Sequence, residues 1–409
     1  MIITAAFAYL WPFPKYHTNY LKDNAYYFDL NNTHTFDDLN YSFNEKNLIL
    51  VGESHATTFN YQFKLKFFQY LLANYNISTF LDEIGFSVSC ITMKSFQNFS
   101  LYLNYIFNEI AGTLAATTQN LQFYQELSTF LNTIPNLSFF TYLGIDLEHQ
   151  YPLSVLCLDL IYQSYNTSLA FSNEIYQMRQ ELESYEFKPE LFPATLLPEI
   201  RSLISNISEQ LFVSPSSFSW LNQEDLASVK FLIKNTMNTF AFYDLLAQDE
   251  QTAAFNLREK ALVENFQYFD SLLNSKYFGF WGNAHVLQSP LHLLNYDDSF
   301  ATQLSNLDKY RSKILSFLIY YKDSMQFNPF AQTTQILTIQ NFPPFRSGLD
   351  ISDFPKMGNS MIPLDRENSP FKSKFLLLSK PLNQSTVTTD YFQILIVVDK
   401  SLACSPIET

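Results

Sequence analysis

The chain has 409 residues, of which 47% are hydrophobic and 16% charged, and this composition is typical of a folded globular protein with one large or two ordinary domains. Its formal net charge of −14 argues against nucleic acid as a partner, because affinity for phosphates comes mainly from Lys and Arg. The three cysteines, Cys90, Cys157 and Cys404, are too few and too widely spaced to predict a disulfide framework or a zinc cluster.

The apolar N-terminal segment, MIITAAFAYLWPFP, lacks a basic start and is too short to span a bilayer. It is either the remnant of a signal peptide or a strand or loop that packs onto the body, so the sequence leaves a cytoplasmic and a secreted location open. No later stretch is apolar enough to predict a transmembrane segment. The sequence predicts an irregular lead-in over residues 1–46 and a single α/β domain over residues 47–409.

The first predicted strand is the apolar run from Leu48 to Val51, which is typical of a strand covered on both faces. It ends at Gly52 and is followed by Glu53, Ser54 and His55. Because side chains alternate along an extended backbone, Glu53 and His55 are predicted to project to the same side. An amphipathic helix is predicted next, over residues 59–75.

Three further segments repeat this pattern of an apolar run that ends in glycine and polar residues. They are residues 78–85, 137–149 and 277–285. Right-handed crossovers place the carboxyl ends of parallel strands at one edge of a sheet, so Glu53 and His55 are predicted to meet an acid of the second strand there. Of its two acids, Asp82 and Glu83, we choose Glu83 because it lies nearer the end of the strand.

The segments between and after these strands complete an alternating pattern. Helices are predicted over residues 88–132, over the proline-interrupted stretch 153–251, and over 253–273. Further strands are predicted at 313–321, 335–339, 375–379 and 391–398. This alternation predicts an α/β fold with a central, mostly parallel sheet flanked by helices. The stretch 153–251 is predicted to be a helical insertion that covers a site at the carboxyl edge of the strands.

His55 and His285 each follow a glycine by three residues at the ends of predicted strands. An imidazole can take a proton from water, and a neighbouring carboxylate can fix its tautomer, so this pattern predicts hydrolysis without a cofactor. Arg258, on the last long helix, would either clamp an anionic group or hold a site carboxylate, or it would form an ordinary surface ion pair. Asp146 and Glu148 are weaker candidates, and His149 is weaker again.

Four motifs then resemble the erythromycin esterase-like proteins in their order along residues 47–321. They are Gly-Glu-Ser-His at 52–55, Glu-Ile-Gly-Phe at 83–86, the helix from Arg258 to Asn265, and Gly-Asn-Ala-His at 282–285. The resemblance implies an α/β fold with a helical lobe over a deep cleft. It also implies hydrolysis of an ester or lactone by water that a histidine activates.

Carried onto this sequence, the resemblance makes His55 the general base and Glu53 and Glu83 its supporting carboxylates. His285 would be a second essential imidazole, and Arg258 would take the place of the helix arginine of that family. We also predict that Asp146 and Asn283 bind substrate.

The chain departs from the family pattern at two positions. One residue, Ser54, separates the glutamate from the histidine of the first motif where two are usual, and Gly282 replaces the first histidine of the last motif. The compact Gly-x-x-His spacing is more similar to the related Tiki and ChaN-like proteins, which include metal-dependent peptidases and haem binders.

We therefore expect a hydrolase that acts on a small molecule without a cofactor. The first alternative is a metal-dependent hydrolase or peptidase with a divalent metal ion held by Glu53, His55, Glu83 and His285. The second is a non-catalytic protein that binds haem or another planar ligand through a histidine. The sequence does not predict an oligomeric state.

Overall fold

The computed structural model describes residues 15–407, except residues 33, 38, 40, 95–98, 135–139, 166–170, 185–196, 292–297, 332–334, 342–357 and 378–384. The apolar segment 1–14, considered above as a signal remnant, lies outside the described residues. None of the described helices combines the length and the apolar character that a membrane crossing requires.

Ten strands occur in the described residues: β1 Tyr26–Phe28, β2 Leu48–Glu53, β3 Thr79–Gly85, β4 Thr141–Asp146, β5 Tyr277–Gly282, β6 Ile314–Lys322, β7 Met325–Phe327, β8 Ile336–Thr338, β9 Asn359–Pro363 and β10 Ile394–Asp399. Eight of them form a mostly parallel central sheet in the order β1-β9-β10-β6-β2-β5-β3-β4, and β7 and β8 form a separate antiparallel pair. The predicted α/β class is confirmed.

Eleven helices flank this sheet in the described part of the chain: α1 Lys15–Asp23, α2 Thr58–Tyr75, α3 Phe86–Lys94, α4 Phe99–Glu109, α5 Thr118–Thr133, α6 Pro152–Gln163, α7 Ser172–Ser184, α8 Leu197–Val213, α9 Gln223–Ala247, α10 Gln251–Leu273 and α11 Phe300–Ser305. Most of the described residues of the stretch 153–251 lie in α6 to α9 and in a 3₁₀ turn, Pro215–Phe218.

Contacts divide the chain into two compact units. The first unit contains Met1–Phe80, Thr117–Phe123 and Asn274–Thr409, and the second contains Leu81–Ala116 and Tyr124–Leu273.

In the first unit, β2 lies between two parallel neighbours, β5 and β6, and all but the last residue of β2 is buried. The register pairs Glu53 with Gly282, so β2 and β5 end side by side. Rings from α2 fill the space above these strands: Phe67 contacts Phe317 at 5.6 Å and Phe68 contacts Phe278 at 6.0 Å between ring centroids. Large buried rings of this kind supply much of the apolar area that stabilises a fold.

The second unit is built around the helix pair α9 and α10 and the strand β4. The ring of Phe231 on α9 packs on Phe269 of α10, with the centroids 4.6 Å apart, and Phe86 at the start of α3 packs on both. This aromatic cluster holds the long helices in a fixed register. It also fixes which residues of α10 lie near β4.

Three predicted segments differ from the structure. The lead-in predicted as irregular contains α1 and the edge strand β1, because β1 pairs with β9, more than 300 residues later, and distant pairing leaves no local periodicity. The segment 335–339 forms β8, which pairs with β7 outside the main sheet. In 375–379 the described residues hold only an isolated bridge at Leu377, and 378–379 lie outside the described residues. Residues 137–139 also lie outside the described residues, and the third predicted strand, 137–149, corresponds to β4, which begins at Thr141.

Candidate functional site

Glu53 and His55 meet where β2 ends. The carboxylate Oε1 of Glu53 accepts a hydrogen bond from Nδ1 of His55 at 2.7 Å. The His55 side chain is 44% exposed, whereas that of Glu53 is only 12% exposed. The pair thus presents an imidazole to solvent and keeps the carboxylate that orients it within the protein. Such an arrangement leaves Nε2 as the basic nitrogen.

The turn after His55 is held in an unusual backbone conformation. Ala56 has a φ of 59°, in the left-handed region that residues other than glycine rarely adopt. Its carbonyl oxygen accepts hydrogen bonds from the backbone N–H groups of Phe327 at 3.1 Å and Cys404 at 3.0 Å. Two separate segments of the first unit therefore fix the turn that carries His55. Left-handed residues held in this way often occur at functional sites.

Two residues that sequence reasoning missed support Glu53. Asn60, buried in the first turn of α2, donates from Nδ2 to Glu53 Oε2 and, at 2.8 Å, to the carbonyl oxygen of Ser54. The hydroxyl of Tyr321, at the end of β6, donates to Asn60 Oδ1 at 2.6 Å and accepts from the Ser54 N–H at 3.3 Å. Burial, and then the negative charge of Glu53, hold the pKa of Tyr321 well above its usual range. Asn60 is one of several polar residues in α2, so neither Asn60 nor Tyr321 gave a local signal in the sequence.

The second predicted histidine of this unit, His285, lies in the 3₁₀ turn Asn283–Val286 that follows β5. His285 is 7% exposed and packs edge-on against Trp281, with the ring centroids 6.2 Å apart. Asn283 is also buried, and its Oδ1 accepts no hydrogen bond from the described residues. Gly52 allows this turn to pack on β2, since a Cβ there would lie 2.5 Å from Val286 Cγ2 and 2.8 Å from Asn283 Oδ1.

In the second unit, Arg258 of α10 binds two predicted site carboxylates. Its Nε and Nη2 donate to the two oxygens of Asp146 at 2.9 and 2.5 Å, and Nη2 also donates to Glu83 Oε1 at 2.8 Å. Asp146, at the end of β4, is 2% exposed. Both of its oxygens accept hydrogen bonds from Arg258, so Asp146 holds this guanidinium, and the predicted contact of Asp146 with substrate stays a prediction.

Burial by itself would raise the pKa of the Asp146 carboxyl, but the charge and hydrogen bonds of Arg258 outweigh it, so this pKa lies below its usual range. The neighbouring His149 forms a hydrogen bond with Tyr243, and the distance from His149 Nδ1 to Tyr243 Oη is 3.0 Å. Burial lowers the pKa of His149, although the Asp146 carboxylate, 3.9 Å from Nε2, partly opposes this. Because its pKa is lowered, the Asp146 carboxyl is ionised near neutral pH, and the carboxylate fixes Arg258 in place.

Glu148, a weaker candidate from the sequence, has a structural role. Its carboxylate accepts hydrogen bonds from the N–H of Phe86 at 2.8 Å, the N–H and hydroxyl of Ser87, and the Asn235 amide at 2.9 Å. It thus caps the N-terminus of α3, where the unpaired N–H groups and the helix dipole favour an anion. Gly85 makes room for it, because a Cβ there would overlap Glu148 Oε2.

The predicted site residues therefore belong to two groups. Glu53 and His55 are hydrogen-bonded to each other in the first unit, which also holds Asn283 and His285, and Arg258 joins Glu83 to Asp146 in the second. Among the described residues, no three His, Cys, Asp or Glu side chains form a group that could hold a metal ion.

The strand order and flanking helices define an α/β protein with the erythromycin esterase-like fold. Three solved structures are similar over most of the chain. A protein from Bacillus cereus has a TM-score of 0.68 at 14% identity, covering 97% of this chain and 100% of that one. A succinoglycan biosynthesis protein has a TM-score of 0.63 at 11% identity, covering 96% and 98%. A variant of the erythromycin esterase EreC in its open conformation has a TM-score of 0.59 at 11% identity, covering 92% and 96%.

At these identities the likeness establishes the fold alone. No family profile matches the chain, and no curated protein sequence matches it.

Proposed function

We propose that the protein is a hydrolase that cleaves an ester, lactone or related acyl bond of a small molecule with water activated by His55. The observation that carries the proposal is the 2.7 Å hydrogen bond between an exposed imidazole and a largely buried carboxylate at the end of a central strand. The similarity in fold to an erythromycin esterase also supports it.

In the proposed reaction, Nε2 of His55 takes a proton from water while the water oxygen attacks the acyl carbon. Glu53 stabilises the resulting imidazolium through the Nδ1–H bond. The imidazolium then returns the proton to the leaving alkoxide, so that water and the ester become an acid and an alcohol. A positioned base of this kind contributes about 10²- to 10⁴-fold to a hydrolytic rate.

We further propose that His285 and Asn283 serve the same reaction, on the ground that their turn packs against the end of β2. The roles proposed for Glu83 and Arg258 rest on the family resemblance, and the role proposed for Asp146 rests on its place at the end of β4. Substitution of each of these residues, with substrate turnover and stability measured separately, distinguishes a role in the reaction from a role in folding.

The test is a panel of p-nitrophenyl esters and lactones of increasing size, assayed with and without a chelator. Turnover that the chelator leaves unchanged supports a metal-free hydrolase. Turnover that is lost with the chelator and restored by a divalent metal favours the metal-dependent alternative. A Soret band in the absorption spectrum of the purified protein, with no turnover of any substrate, favours the haem-binding alternative.

A further inference from the structure

The first unit contains a chain of hydrogen bonds that ends on the Glu53 carboxylate. The Ser54 N–H donates to the Tyr321 hydroxyl, and the Tyr321 O–H donates to Asn60 Oδ1. Asn60 Nδ2 then donates to Glu53 Oε2, while His55 Nδ1 donates to the other oxygen, Oε1. Every donor in this chain therefore points toward one carboxylate.

The orientation of the Asn60 amide follows from its partners. Its Oδ1 must accept from the Tyr321 hydroxyl, and its two N–H groups face Glu53 and the Ser54 carbonyl, which are both acceptors. The reversed amide would place two acceptors against each other at Glu53. Because Asn60, Tyr321 and Glu53 are shielded from water, these bonds are not replaced by solvent when one is removed.

We infer that Asn60 and Tyr321 are positioning residues that hold the Glu53 carboxylate in the orientation that keeps neutral His55 in its Nδ1–H tautomer. With Oε2 bound to Asn60, only Oε1 faces the imidazole. Oε1 accepts but cannot donate, so His55 must place its proton on Nδ1. In free histidine the Nε2–H tautomer predominates. These contacts thus select the tautomer that the proposed reaction needs. The role of this tautomer in turnover rests on the proposed function, whereas the tautomer itself does not.

The test reads the tautomer directly, without substrate. The protein has 6 histidines, so selective ¹⁵N labelling gives few imidazole signals, and the His55 signals are assigned by their loss in His55→Asn. Nitrogen chemical shifts separate the protonated from the unprotonated ring nitrogen. We expect the Nδ1–H form in the wild-type protein at a pH above the titration of histidine.

Tyr321→Phe and Asn60→Leu are each expected to shift His55 toward the Nε2–H form, and Glu53→Ala to abolish the Nδ1–H preference. Tyr320→Phe is the matched control, since Tyr320 is the adjacent residue of β6 and packs against a different core cluster, and this variant should keep the wild-type tautomer. Circular dichroism identifies any variant that fails to fold. If either Tyr321→Phe or Asn60→Leu fails to fold, the tautomer of His55 in the other of these two variants tests the inference.

The inference is overturned if wild-type His55 is in the Nε2–H form, or if Tyr321→Phe and Asn60→Leu both keep the wild-type tautomer while Glu53→Ala loses it. The turnover assay is separate. If the tautomer shifts as expected but no ester or lactone is cleaved, the inference stands and the proposed hydrolase function fails. If turnover is found, Tyr321→Phe should lower kcat by roughly tenfold and leave KM unchanged. This loss is smaller than the full contribution of a general base, because His55 is still present but less well oriented.

Discussion

His55 Nδ1 lies 2.7 Å from Glu53 Oε1, although only one residue separates the two in the sequence. The bond forms where β2 ends at Glu53 and the chain bends at His55 and Ala56, and the φ of Ala56 is 59°. The shortened first motif therefore still pairs an acid with a base.

Removing the Arg258 guanidinium should strongly destabilise the protein. Arg258→Met leaves the buried Asp146 carboxylate without its cation, and we expect a loss of about 3 to 5 kcal/mol in the free energy of unfolding. Arg258→Lys keeps the charge but loses the bidentate geometry, so its loss should be smaller. Urea denaturation followed by circular dichroism measures both.

The control for this prediction is Arg201→Met. Arg201 makes a similar two-bond contact with Asp244, but this pair is on the surface, so its removal should cost only about 0 to 1 kcal/mol. If Arg258→Met and Arg201→Met lowered the free energy of unfolding by equal, small amounts, the ion pair between Arg258 and Asp146 would not be a major source of stability.

Adding a methyl group at Gly52 should disturb the turn that carries Asn283 and His285. The new Cβ of Gly52→Ala would overlap Val286 Cγ2, so we expect a loss of about 1 to 3 kcal/mol in stability. Val286→Ala removes the overlapping atom, and the double variant should recover part of that loss. Thermal unfolding of the two single variants and the double variant measures the coupling. Strictly additive effects would contradict the predicted contact.

Glu109, the last residue of α4, should make stability depend on pH. Its Oε2 accepts no hydrogen bond from any described residue, and burial raises its pKa from 4.5 to about 8. Between these two values the folded protein holds a proton that the unfolded chain releases. The stability contributed by this raised pKa is therefore present below about pH 4.5 and is lost as the pH rises to about 8.

Glu109→Gln should accordingly raise the melting temperature at pH 8.5, by on the order of 2 °C, and change it little at pH 5. Glu126→Gln, at an exposed position of α5, is the control and should have no such pH-dependent effect. A shift for Glu109→Gln of the same size at both pH values would show that Glu109 does not change its protonation on folding.

The strands that end in polar residues could be predicted from the sequence because their signal is local. The apolar run Leu48–Val51 and the alternation of Glu53 with His55 need only the geometry of an extended chain. The partners of these residues could not be predicted in this way. Tyr321 lies 261 residues from Asn60, and no periodicity relates them. Similarly, the sequence assigns Asp146 to substrate, whereas its bond to Arg258 depends on how α10 packs on β4.

The measurement that tests the central claim most directly is the turnover of the ester and lactone panel by His55→Asn beside His34→Asn. His34 is a matched control because its Nδ1 also contacts a carboxylate, that of Asp37, at 2.8 Å, but on the open surface. We predict that the wild-type protein hydrolyses at least one member of the panel, that His55→Asn lowers kcat/KM by about 10²-fold or more, and that His34→Asn leaves it unchanged. Turnover by His55→Asn equal to that of the wild-type protein would contradict the account.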